Sequence, residues 1–124
     1  MGRVVALVDD LFFLAKIKET AKQTGVALET AGSPAALAEA ARADATSLLI
    51  VDLNARGSIE AIEKLRAAGN TLPVIAFFSH VQVELAERAR AAGCEQVMPR
   101  SKFTKELAAI LSGAKGKRLV ICNW

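Results

Sequence analysis

Tyrosine is absent from these 124 residues, tryptophan occurs only at the last position, and aromatic residues make up just 5% of the chain. So few aromatics beside 24 alanines argue for closely packed helices and against a β-sandwich. Cysteine is scarce too, with only Cys94 and Cys122, and His80 is the single histidine. Two distant thiols exclude a disulfide framework, and one imidazole excludes a Cys/His metal cluster. No apolar stretch approaches the roughly 18–20 residues needed to span a bilayer. The N-terminal run ends in two aspartates and does not read as a signal peptide. These features together predict a soluble protein of a reducing cytoplasm, with no membrane partner. An excess of charge of one sign is also missing. The formal charge is +3, but Lys115, Lys117 and Arg118 carry it, and the other 13 bases equal the 13 acids. No nucleic-acid partner is expected from that balance.

What the chain does have is length for one domain, 52% hydrophobic residues, and a regular alternation of two patterns. Short apolar runs at Arg3–Asp9, Val26–Thr30, Ser47–Asp52, Leu72–Phe78 and Glu95–Pro99 read as strands. Helical spacing separates them: Phe13, Leu14, Ile17 and Ala21; then Ile59, Ile62 and Leu65; then Val81, Leu85 and Ala89; and finally Phe103, Leu107, Ile110 and Leu111. Ser33 before Pro34 is an N-cap signal, and Gly25, Gly69 and Gly93 follow helical stretches as C-terminal stops. Five strands alternating with five helices predict an α/β fold, a parallel sheet covered on both faces. The first, third and fourth runs are the most apolar and belong in the centre, giving a flavodoxin-like (βα)5 sandwich of strand order 2-1-3-4-5. This domain spans residues 1–113. Residues 114–124 form a basic and apolar tail, either a frayed end or a latch onto this domain or onto a second copy in a homodimer.

In such a sheet the working crevice lies beyond the carboxyl ends of the strands. Asp9 and Asp10 end the first strand, Asp52 the third and Ser79 the fourth, and Arg100 follows the fifth. Three carboxylates converging there would repel one another unless a cation bound between them, and hard oxygen donors suit Mg²⁺, or Mn²⁺ in its place. The plainer reading makes Asp9 and Asp10 helix caps and Asp52 a loop acid. Met98 and Phe103 read as core, and Glu84, Glu87, Arg88 and Arg90 as a solvated helix face. A nucleotide is disfavoured, because no glycine-rich phosphate loop follows the first strand.

The segments Val8-Asp9-Asp10, Leu49-Ile50-Val51-Asp52, Val74 to Ser79, and Ala92-Gly93-Cys94 leading to Arg100 and Phe103 resemble the receiver domain of two-component response regulators. The resemblance covers about residues 3–112. It implies phosphoryl acceptance at Asp52 from a sensor histidine kinase or phosphotransfer protein. It also implies Mg²⁺ held by Asp9, Asp10, Asp52 and the backbone carbonyl of Asn54, with Ser79 as the switch hydroxyl. Such a domain is a signalling acceptor rather than an enzyme, at most phosphorylating and dephosphorylating itself, and it acts on a separate output protein by contact.

The chain departs from the family pattern at several positions. Arg100 stands where the family has its phosphate-binding lysine, with Lys102 the alternative. Arginine keeps the charge and offers a two-pronged donor, but its reach differs. Val97 occupies the position of the usual aromatic switch residue. His80 and Arg56 place an imidazole and a second cation at the site entrance. These departures support a second reading, a phosphorylation-independent pseudo-receiver that works as a protein-interaction module.

Overall fold

The computed structural model describes residues 3–79 and 83–115. His80 and residues 116–124, and with them most of the tail, lie outside the described residues. The strands are β1 (Arg3–Leu7), β2 (Ala27–Thr30), β3 (Thr46–Asp52), β4 (Val74–Phe78) and β5 (Gln96–Pro99). The helices are α1 (Leu11–Thr24), α2 (Pro34–Ala41), α3 (Ser58–Ala67), α4 (Val83–Ala91) and α5 (Arg100–Lys115). All strand pairs are parallel, in the order β2-β1-β3-β4-β5. This is the predicted flavodoxin-like architecture. The helix α5 continues to Lys115, two residues into the segment read as tail.

Burial explains the order. Val4 to Leu7, Leu48 to Val51 and Val74 to Phe77 are fully or almost fully buried, as strands covered on both faces must be. The edge strand β2 keeps only Leu28 half-buried. Alternating side chains divide between two cores. One joins Val4, Ala6, Leu48, Ile50, Ile75 and Phe77 to α1 and α5; the other joins Val5, Leu7, Leu49, Val51, Val74 and Ala76 to α2, α3 and α4. Met98 and Phe103 are core residues, and Glu84, Glu87, Arg88 and Arg90 are exposed, as the sequence predicts.

Local signals set the helix ends. Ser33 accepts a hydrogen bond from the Ala36 N–H at 3.1 Å, and Pro34 opens α2. Gly25, Gly69 and Gly93 all have positive φ. At Gly93, φ is 102°, and a Cβ there would stand 2.9 Å from Arg66 Nε. The same guanidinium donates to the Gly93 carbonyl at 2.8 Å and to the Asn70 carbonyl at 3.0 Å, clasping the ends of α3 and α4. Glycine is needed there both for its conformation and for the space it leaves.

Candidate functional site

The parallel sheet delivers the carboxyl ends of β1, β3 and β4 side by side, and the acidic residues sit at those ends. After the ladder of β1 stops at Leu7, Val8 is buried, Asp9 is exposed and Asp10 turns the chain into α1. Asp10 has extended backbone geometry, and its Oδ1 accepts from the Phe12 and Phe13 N–H groups at 3.0 and 3.1 Å. That bond pattern makes it the N-cap of α1. The plainer reading of this residue is therefore correct as far as it goes.

The other oxygen of Asp10 has a different partner. Arg100 Nη1 lies 3.0 Å from Asp10 Oδ2, an ion pair that joins the start of α5 to the start of α1. The Arg100 guanidinium carbon stands 4.4 Å from the Phe13 ring centroid and 5.7 Å from that of Phe77. Phe77 in turn stacks on Phe103 at 4.7 Å. Three phenylalanines thus form an apolar floor with a cation resting on it. Both the N–H groups of the helix start and the Arg100 charge hold the Asp10 carboxyl below the usual aspartate range.

Asp52 is the last residue of β3, beside Phe77 on β4, and is only 2% exposed. Its Oδ1 accepts from the Asn54 N–H at 2.9 Å, and its carboxylate also accepts the Asp9 backbone N–H. Burial pushes its pKa up, and the negative charge of Asp9 adds to the rise. The two backbone N–H groups and the positive charge of Arg100 oppose it without cancelling it. A buried carboxylate at a strand end, with one cation nearby, is not a solvated loop acid.

Ser79 is exposed just past β4, and its backbone N–H donates to Asn54 Oδ1 at 2.8 Å. Val97 is half-buried on β5 and packs against the core formed with α2, α3 and α4. Arg100 is the cation brought to the acids, whereas Lys102 and Arg56 are exposed.

The expected cluster of three carboxylates does not form as drawn from sequence. Among the described residues, no three acidic, histidine or cysteine side chains stand together in a way that could hold a metal ion. Asp10 is engaged by its helix cap and by Arg100, Asp52 is buried, and Asp9 is exposed. The donor chemistry still fits a hard divalent cation. Asp9 and Asp52 are carboxylates joined through a backbone hydrogen bond, and Asn54 adds a carbonyl next to Asp52.

Sequence reasoning missed two features. The ring platform under Arg100 was read only as core, although Phe13, three residues after Asp10, lies one helical turn from the acid. The side chain of Asn54 was passed over for its carbonyl, and no local pattern marks its bond to Ser79, 25 residues away. A cavity of about 450 Å³ lined in part by Arg42, Lys64, Leu65 and Asn70 lies where α2 and α3 end, and no acidic site residue lines it.

The arrangement of sheet, helices and strand-end acids defines a receiver-type fold. Among solved structures, the signal receiver domain of the response regulator NarL from Mycobacterium tuberculosis superposes with a TM-score of 0.76 at 20% identity, covering 94% of this chain and 98% of that one. The receiver domain of the Francisella response regulator 1452 gives 0.78 at 15% identity, with 93% and 97% covered. The chemotaxis response regulator CheY4 of Vibrio cholerae gives 0.75 at 21% identity, with 92% and 98% covered. No protein-family model matches the sequence, and no curated protein sequence matches it. The likeness is one of fold. No described helix is long and apolar enough to cross a membrane.

Proposed function

We propose that this chain is a receiver module that accepts a phosphoryl group on Asp52 from a histidine kinase or phosphotransfer protein. The observation that carries the reading is the setting of Asp52: a strand-end carboxylate, 2% exposed, held by two backbone N–H groups beside a cation. Fixed orientation and partial desolvation are what a weak carboxylate nucleophile needs. In the transfer, an Asp52 oxygen bonds to phosphorus as the donor's bond to phosphorus breaks, and the donor departs with that electron pair. Mg²⁺ bound by Asp9, Asp52 and the Asn54 carbonyl would neutralise charge on the phosphoryl oxygens. Ser79 offers a hydroxyl and Arg100 a guanidinium to the same oxygens. The output is contact with a second protein, which the acyl phosphate biases.

The experiment is incubation with acetyl phosphate or phosphoramidate and Mg²⁺, read by intact mass. One phosphoryl group should appear on the wild type and none on Asp52→Asn. A second reading, a pseudo-receiver that binds partners without phosphorylation, is favoured by the Arg100–Asp10 pair, which leaves no three-acid metal cluster among the described residues. A wild type that stays unmodified at saturating donor and Mg²⁺ selects that reading.

A further inference from the structure

The cavity where α2 and α3 end takes no part in the site described above. Both helices follow the carboxyl ends of their strands, so their last turns lie at the opposite end of the parallel sheet from Asp52. Its volume of about 450 Å³ falls within the range of small-molecule sites. Leu65, only 5% exposed, forms its floor, and Ala38 and Ala68 are too small to close the gap between the helices. Gly69 leaves further room, since a Cβ built on it would meet no atom within 4 Å. One wall is fixed by Asn70. Its Nδ2 donates to the Ala41 carbonyl at 3.1 Å, its Oδ1 accepts the Leu72 N–H at 2.9 Å, and its own carbonyl accepts Arg66 Nη1 at 3.0 Å. The end of α2 is thereby tied to the loop after α3, which holds the gap at a set width.

The charged residues lining this cavity are both cations, Arg42 and Lys64. Arg42 meets Glu39 at 3.1 Å, but the two side chains are 74% and 75% exposed, and such a pair is weak. Glu60, one turn before Lys64, is engaged by Arg88 at 3.2 Å. Two helix C-termini would ordinarily disfavour an anion. Here the carbonyls of Ala41, Lys64, Leu65 and Arg66 each accept an N–H of the protein, which damps that repulsion. We propose that the cavity binds a small amphiphilic anion, an organic carboxylate on an apolar body about the size of two fused rings. The rings lie on Leu65 between Ala38 and Ala68, and the carboxylate sits between Lys64 and the forked donors of Arg42. A concave gap between two helices suits a compact molecule better than a protein partner, which needs a broader surface.

The test is 2-naphthoate titrated into the full chain without metal, followed by backbone amide NMR shifts. Having no phosphorus, the probe cannot modify Asp52. Wild type should bind it with a Kd of about 1 mM, what an anion of that size reaches at ordinary ligand efficiency. The shifts should centre on Arg42, Lys64 and residues 68–70. Lys64→Gln and Arg42→Gln should each weaken binding about threefold, the scale of one exposed ion pair. The double variant should lose about tenfold, the two effects combining. Ala68→Leu fills the apolar gap at an exposed position and should abolish saturable binding with both cations in place. 2-Naphthalenemethanol keeps the rings without the charge and should bind wild type only as weakly as naphthoate binds the double variant. Equal naphthoate affinity in wild type and the double variant would overturn the inference, as would equal affinity for the alcohol. A folded wild type with no saturable binding overturns it too. Asp52→Asn should bind the probe as wild type does, whether or not Asp52 accepts a phosphoryl group. A changed affinity there, or shifts centred on Asp9 and Arg100, would place the probe in the acidic crevice and contradict the assignment.

Discussion

Asn54 Oδ1 accepts the backbone N–H of Ser79 at 2.8 Å, tying the loop after β3 to the end of β4. The two residues are 25 apart in sequence, and Asn54 is also the residue whose N–H is bonded to Asp52. Asn54 thereby does two things through different atoms: its N–H holds the Asp52 carboxylate and its amide oxygen holds the serine.

Removing the side chain separates those roles. Asn54→Ala keeps the backbone donor to Asp52 but leaves the Ser79 N–H without its acceptor. Amide exchange at Ser79 should speed up about tenfold, with a loss of ~1 kcal/mol in local stability, the usual net worth of one such bond. Asn54→Asp retains an acceptor oxygen and should keep most of the protection. Residue-resolved hydrogen exchange measures both, and an unchanged Ser79 amide in the alanine variant would contradict the tie.

The buried charge of Asp52 has a stability consequence whose sign is fixed. Its pKa is raised in the folded chain, so folding takes up a proton between the ordinary carboxylate range and the raised value. Stability falls as pH rises through that window and stays lowered above it. Asp52→Asn removes the penalty and should unfold at higher temperature than wild type at pH 7. The gap should close as pH falls to the ordinary carboxylate range and below. Asp10 acts the other way. Its lowered pKa contributes stability that is present above the ordinary range and lost at still lower pH. Thermal melts from pH 3 to pH 8 check the Asp52 sign, and a wild type more stable than Asp52→Asn at pH 7 would contradict it.

The ring platform joins stability to function. Phe103 is fully buried, stacks on Phe77 at 4.7 Å and lies 5.9 Å from Phe13, centroid to centroid. Phe103→Ala should cost about 3–5 kcal/mol, the range for deleting a buried aromatic. Phe103→Leu should cost less, because it leaves a smaller cavity. Urea unfolding at pH 7 reads the difference, and equal losses in the two variants would show that packing under Arg100 is loose.

Much of this was legible in the sequence because it is written in local spacing. Apolar runs of five to seven residues placed all five strands, and the polarity of Val26–Thr30 and Glu95–Pro99 put β2 and β5 at the edges. The acids at the ends of β1 and β3 followed from topology alone. What stayed hidden was side-chain direction. No spacing rule says that Asp10 turns to Arg100, 90 residues away, instead of joining Asp9 and Asp52. The choice between Arg100 and Lys102 was hidden for the same reason: the first turn of α5 aims one cation at the acids and the other at solvent.

The central claim is that Asp52, and no other carboxylate, accepts the phosphoryl group. The most direct measurement is borohydride reduction of the chain after treatment with acetyl phosphate and Mg²⁺, followed by peptide mass mapping. An aspartyl phosphate is reduced to homoserine, which marks its position permanently. The account predicts homoserine at position 52 alone, dependent on Mg²⁺ and absent in Asp52→Asn. Homoserine at position 9 or 10, or none anywhere in a folded wild type, would contradict it.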